Sequence, residues 1–272
     1  MIRLLAYPII AYLTGGVMFW LKQDRLLFPG PEVAEQSTPA ELGLHFEDLR
    51  IPVNAHDALH AWWIPASAST EKVILAFHGN AETLETMVSY AIPELRELGT
   101  NLLLIDYRGY GSSSPVTPNE KSVLEDASAA FRYLLQARKT PPAAIFLLGR
   151  SIGSGPATYL ASSNPGVGGL ILESPFSSID DAASGFWYFR MYPSRLILRT
   201  HFDNLTRIRS AEAPVLIIAG TADTLTPSWM AERLFAQARQ PKQLYLVPNA
   251  GHNDLLTVGG RALTAALQRM VR

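Results

Sequence analysis

The chain has 272 residues, 48% hydrophobic and 17% charged, a composition that fits a globular protein and excludes a disordered or fibrous one. It contains no cysteine, so disulfides, Cys-ligated metal sites and thiol nucleophiles are excluded as well. With 23 Lys and Arg against 24 Asp and Glu the net charge is −1, too weak a field to gather nucleic acid, which is set aside as a partner.

The first predicted element is a helix. Leu4 to Leu21 is an 18-residue run without a charge, closed by Lys22, Asp24 and Arg25. At 1.5 Å per residue it reaches about 27 Å, close to the ~30 Å hydrocarbon thickness of a bilayer. Residues 1–27 are therefore read as an uncleaved, single-pass membrane anchor. A cleaved signal peptide would need a small-x-small site, and Val17 to Phe28 offers none. The other rivals are a helix lying on the membrane surface and a helix docked on the domain. Arg3 nearly balances Lys22 and Arg25, so the charges assign no orientation.

Residues 28–41 carry three prolines and little apolar periodicity and are read as a connector, with the folded domain spanning 42–272. Phe46 to Val53 and Ala58 to Ile64 predict an antiparallel hairpin around Asn54 to Asp57. Six further β-rich runs follow, at Val73 to Phe77, Asn101 to Ile105, Ile145 to Leu148, Leu170 to Leu172, Val215 to Ala219 and Leu244 to Val247. Helical spacing fills Thr83 to Leu98, Asn119 to Ala137, Ile152 to Ser162, Ser228 to Ala238 and Ala262 to Val271. Apolar strands alternating with helices predict an α/β fold: an eight-stranded, mostly parallel sheet with helices on both faces. Between Leu172 and Val215 the rhythm breaks for about forty residues where a crossover needs about a dozen. The segment 174–210, rich in aromatics from Phe176 to Phe202, is read as a small cap insertion.

Directly after the strand at Ile145 comes G-R-S-I-G, Gly149 to Gly153, followed by a helix. The pentapeptide alone is weak evidence, but at a strand-to-helix junction its glycines permit a tight turn that lifts Ser151 above the sheet with a helix N-terminus behind it. A serine hydroxyl attacks only with a base and a carboxylate to orient that base. In this architecture such groups stand just past the C-terminal ends of strands. Asp223 lies in G-T-A-D after one strand and His252 in A-G-H-N-D after the next, which gives the chain order expected of this triad on this fold. Glu173 is the main rival for the acid and Asp203 a weaker one; His45, His56, His60 and His201 have no strand-end position and are read as local structure. The oxyanion donors are expected to be the backbone N–H groups of Ile152 and, from the H-G-N-A loop, Asn80, with His78 fixing that loop. None of this chemistry calls for a metal or an organic cofactor.

These residues resemble an α/β-hydrolase, and more narrowly the bud-emergence type α/β-hydrolase-domain proteins. The matching pieces are R-L-L-F-P-G-P, F-H-G-N-A at Phe77 to Ala81, D-Y-R-G-Y-G-S-S at Asp106 to Ser113, G-R-S-I-G-S-G-P, E-S-P-F-S-S at Glu173 to Ser178, G-T-A-D and A-G-H-N-D. The resemblance implies Ser151 as nucleophile, His252 as base, Asp223 as acid, and Asn80 and Ile152 as oxyanion donors. It also implies that Asp106, Arg108 and Gly111 shape a loop. Characterised members include lysophospholipid hydrolases and protein depalmitoylases, so the expected activity is that of a serine hydrolase cleaving esters or thioesters of acyl or lipid-like substrates. A serine peptidase of the same fold and a non-catalytic membrane scaffold are the alternatives. The cysteine cluster by which the depalmitoylases reach membranes is missing, so attachment is expected through the N-terminal helix.

Overall fold

The computed structural model describes residues 2–30, 37–185, 192 and 197–272. The aromatics expected in the cap at Phe186 to Phe189 lie outside the described residues, as does the middle of the connector, 31–36. Eight strands form one sheet: β1 (Glu47–Pro52), β2 (Ala58–Ile64), β3 (Val73–Phe77), β4 (Asn101–Ile105), β5 (Ile145–Arg150), β6 (Gly169–Glu173), β7 (Val215–Gly220) and β8 (Lys242–Val247). Their order is β1-β2-β4-β3-β5-β6-β7-β8. The first two pairings, β1 on β2 and β2 on β4, are antiparallel, and the rest are parallel.

The five central strands read as unbroken apolar runs because both of their faces are covered. Successive side chains alternate between two cores, as a strand's two-residue period requires. Leu75, Phe77, Leu103, Ile105, Leu147, Leu172 and Ile217 pack with helices α3 (Glu120–Gln136), α4 (Ser154–Ser163) and α7 (Ser228–Gln237). Ile74, Ala76, Leu102, Leu104, Leu148, Ile171 and Ile218 pack with α2 (Leu84–Arg96) and α8 (Leu255–Met270). Among the described residues, two short helices, α5 (Ile179–Ala183) and α6 (Asn204–Arg207), stand in the long connection between β6 and β7. The exposed outer edge at β1 carries Glu47, Asp48, Arg50 and Pro52, side chains that discourage a further strand from adding there.

The structure overturns the expected membrane anchor. Residues Ile2–Leu27 do form one helix, α1, but among the described residues no helix is long and apolar enough to cross a membrane. Tyr7, Tyr12, Thr14, Gly15, Gly16 and Trp20 interrupt the aliphatic run, and the C-terminal half of α1 is fastened to the domain. Gln23 is fully buried; its amide donates to the carbonyls of Trp20 and Ile197, and its oxygen accepts from Arg199 N–H at 2.7 Å. Arg199 also pairs with Asp24 at 2.6 Å, and Tyr192 stacks on Tyr12 and Phe19. A docked helix needs apolar residues for the domain just as a spanning helix needs them for lipid, which is why the run alone did not separate the two.

Candidate active site

The chain turns sharply at the end of β5. Ser151 occupies the left-handed region at φ +51°, and residues Ser151–Gly153 make a single 3-10 turn into α4. Both flanking glycines are required by close approach. A Cβ on Gly149 would collide with the carbonyl oxygen of Gly153, and one on Gly153 with the carbonyl oxygen of Phe77 at the end of β3. The turn is thus pressed against the neighbouring strand, and the serine at its apex is held in a conformation that costs of order 1–3 kcal/mol.

His252 Nε2 lies 3.0 Å from Ser151 Oγ, and Nδ1 lies 2.8 Å from Asp223 Oδ2. The loops after β7 and β8 that carry the acid and the imidazole are laced together: Ala222 N–H donates to Ala250 O, and Asn249 N–H donates to the Thr221 hydroxyl. Asp223 is buried and fully engaged. Its Oδ1 accepts from the N–H groups of Leu225 and Thr226, while Oδ2 accepts from the Thr226 hydroxyl as well as from His252. Burial raises its pKa, but the His252 hydrogen bond and the donors of Thr226 outweigh it and hold the carboxyl below the usual carboxylate range.

Asn80 and Ile152 both line the cavity that contains Ser151 and His252, a space of about 580 Å³. Its other walls include Leu26, Leu27, Phe176, Ile179, Ala182 and Leu225. The side chain of Asn80 is held at both ends: Nδ2 donates to Leu27 O at 2.8 Å, and Oδ1 accepts from the Tyr110 hydroxyl at 2.8 Å. His78 stays away from Ser151, buried against Tyr107 with Nδ1 donating to Gly79 O and Nε2 3.4 Å from Asp106. Asp106 in turn accepts from Leu84 N–H at the start of α2, and Gly111 has no room for a Cβ beside its carboxylate. Arg108 is buried and paired with Asp126 of α3. These contacts brace the loop after β3 from below.

Three buried groups, His60, Glu85 and Asp106, bring possible ligand atoms within 4.8 Å of one another, the spacing of a loose metal cluster. His60 stands between Asp48 at 2.9 Å and Asp106 at 3.6 Å. Burial pulls its imidazole down, but the two carboxylates outweigh burial and raise its pKa.

Several residues beside the triad were not picked out from sequence. Thr226 joins the acid and the imidazole, its Oγ1 lying 3.1 Å from His252 Nδ1; its signal was the Asp-x-x-Thr spacing, in which an Asp side chain accepts from backbone N–H groups two and three residues on. Glu82 accepts from Gly79 N–H and the Tyr90 hydroxyl through Oε2, and pairs with Arg150 through Oε1 at 3.1 Å. Arg150 also donates to Asn253 Oδ1. The carboxylate on His252 Nδ1 is that of Asp223, not of Glu173, the rival acid. Glu173 is enclosed at the end of β6, where burial pushes its carboxyl up to about 7 against the attraction of Arg150.

Glu173 makes stability pH-dependent. A carboxyl with a folded pKa near 7 and an ordinary value of 4.5 favours the folded state while protonated, and that contribution is lost as pH rises from 4.5 through 7. Glu173→Gln is expected to match the parent near pH 4.5 and to exceed its stability at pH 8 by about 1–3 kcal/mol. Urea unfolding at the two pH values measures this; an equal difference at both would show that the Glu173 carboxyl titrates alike in the folded and unfolded chain.

A family model described as "Serine aminopeptidase, S33" matches residues 68–199. An uncharacterised protein of Mycobacterium tuberculosis, Rv2307c, is 35% identical over 99% of this chain and 96% of its own. The alpha/beta hydrolase domain-containing protein WAV2 of Arabidopsis thaliana is 28% identical over 91% of this chain and 86% of its own. Among solved structures, the Pyrococcus furiosus esterase Pf2001 superposes with a TM-score of 0.72 at 22% identity, covering 89% of this chain and 97% of its own, a likeness of fold.

Proposed function

Because this chain belongs to the α/β-hydrolase superfamily, we propose that it is a serine hydrolase that cleaves carboxylic esters or thioesters bearing an apolar acyl part, with Ser151, His252 and Asp223 as its triad. The observation that carries this reading is His252, which spans Ser151 Oγ at 3.0 Å and Asp223 Oδ2 at 2.8 Å beside a largely apolar cavity. Residues 42–272 would form the catalytic domain and 174–210 its cap, from which Phe176, Ile179 and Ala182 reach the cavity.

In the reaction, Ser151 Oγ attacks the acyl carbon as its proton passes to His252 Nε2. Asp223 keeps Nδ1 protonated and stabilises the imidazolium. The N–H groups of Ile152 and Asn80 receive the developing oxyanion. His252 then returns the proton to the departing alcohol or thiol, and water activated by the same imidazole releases the acid from the acyl-enzyme.

The name of the matching family raises a peptidase as the second reading. An aminopeptidase needs a carboxylate free to hold the substrate ammonium. Glu82 lines the cavity, but both of its oxygens are taken up by Gly79, Tyr90 and Arg150. An ester substrate needs no such grip. Short p-nitrophenyl esters are therefore expected to be turned over at least about 100-fold faster, by kcat/KM, than amino-acid p-nitroanilides, a gap of about 3 kcal/mol. The reverse preference would establish the peptidase, and no turnover of either would leave the scaffold.

A further inference from the structure

The last turn of α1 stands over the cavity. Leu26 and Leu27 share its lining with Ser151 and His252 and with the apolar Phe176, Ile179 and Leu225. As the final residue of the helix, Leu27 has a carbonyl oxygen without an intrahelical donor. That oxygen is met by Asn80 Nδ2, whose other end is held by Tyr110. The chain then descends into the core. Phe28 is buried edge-on to Phe202, and Gly30 lies so close to Gly109 that a Cβ would collide with its carbonyl. Upstream, Gln23 and Asp24 fasten the helix to Ile197 and Arg199. The turn is thus held on both sides, and its two leucines form a fixed wall beside the reacting groups.

We propose that this turn is the acyl-chain selector of the site, with Leu26 at the mouth and Leu27 within forming one wall of the acyl pocket. The proposal rests on the ester-hydrolase reading and adds a substrate preference to it. An acyl chain packed against these leucines and the other apolar lining residues removes apolar surface from water with every methylene, so medium-chain esters are favoured over acetyl esters.

The test compares kcat/KM for octanoyl and acetyl p-nitrophenyl esters. Leu26 is 61% exposed, so Leu26→Glu places a carboxylate at the mouth without disturbing the core. The octanoyl-to-acetyl ratio is expected to fall at least about ten-fold. Leu27→Ala, which removes the inner wall, is expected to lower the same ratio several-fold. Val17→Glu, at an exposed position of α1 outside this cavity, is expected to leave the ratio as it was. A Leu26→Glu variant that lowers both esters by one factor, or leaves the ratio unchanged, overturns the proposal, as does an equal effect of Val17→Glu. Failure of the underlying reading has a separate signature: the unaltered protein would not react at Ser151 with a fluorophosphonate probe.

Discussion

Ser151→Ala is expected to lower ester turnover by about 10⁴–10⁶-fold. The hydroxyl is within hydrogen-bond reach of His252 Nε2 at the apex of a turn whose backbone is fixed by Gly149 and Gly153, so the substitution removes the attacking atom and moves little else. Alanine at φ +51° is strained much as serine is, and the thermal midpoint should shift by only a few degrees. Rates on p-nitrophenyl butyrate, with a melting curve on the same sample, separate lost chemistry from lost fold. A folded variant with a tenth of the parent rate would remove Ser151 from the mechanism.

Asp223→Asn should cost about 10⁴ in kcat through the imidazole tautomer. The structure dictates which way the new amide faces. The position of Oδ1 is claimed by two backbone donors, Leu225 and Thr226 N–H, so the amide oxygen must stay there and the NH2 must turn toward His252. That NH2 donates to Nδ1 and drives the ring proton to Nε2, where the imidazole can no longer accept from Ser151. The Thr226 hydroxyl, free to donate to Ser174 O, accepts from the same NH2 and reinforces the arrangement. The stability effect has its own pH signature. Because the Asp223 carboxyl is held below 3.8, its contribution is present above that value and disappears as pH falls through the folded pKa. The variant's stability deficit should therefore narrow in acid. A rate within ten-fold of the parent, or a deficit that widens in acid, would mean the Asp223–His252 contact is not held in solution.

Much of the fold could be read from the chain because parallel strands buried on both faces are unbroken apolar runs, as in V-I-L-A-F and V-L-I-I-A. Helix starts were legible where a capping residue marks them; the Asn119 side chain accepts from Ser122 N–H at the head of α3. The last helix, Leu255–Met270, is two helical segments joined at Gly260, whose backbone is not helical; the segment expected from Ala262 is the second of them, and the short one from Leu255 lacks a length of apolar periodicity that would announce it. The N-terminal run was misplaced for a different reason. The buried amide of Gln23 is what fastens α1 to the domain, and its partners Ile197 and Arg199 lie far along the chain.

The same distinction holds at the site. Ser151, Asp223 and His252 each follow a strand within a few residues, and the structure brings the three together. Arg150, Glu82 and Asn253 meet only after folding; Arg150 and Asn253 are 103 residues apart. No local pattern announces such a contact.

Arg150 links the serine turn to the loop after β3 through Glu82 and to the histidine loop through Asn253. Exchange of the loop that carries Glu82 alone would leave the Arg150 charge buried without its carboxylate, which typically costs about 3–5 kcal/mol. Redesign of this protein therefore has to keep Arg150 and Glu82 together, with Asn253 as the neutral acceptor that ties in the histidine loop.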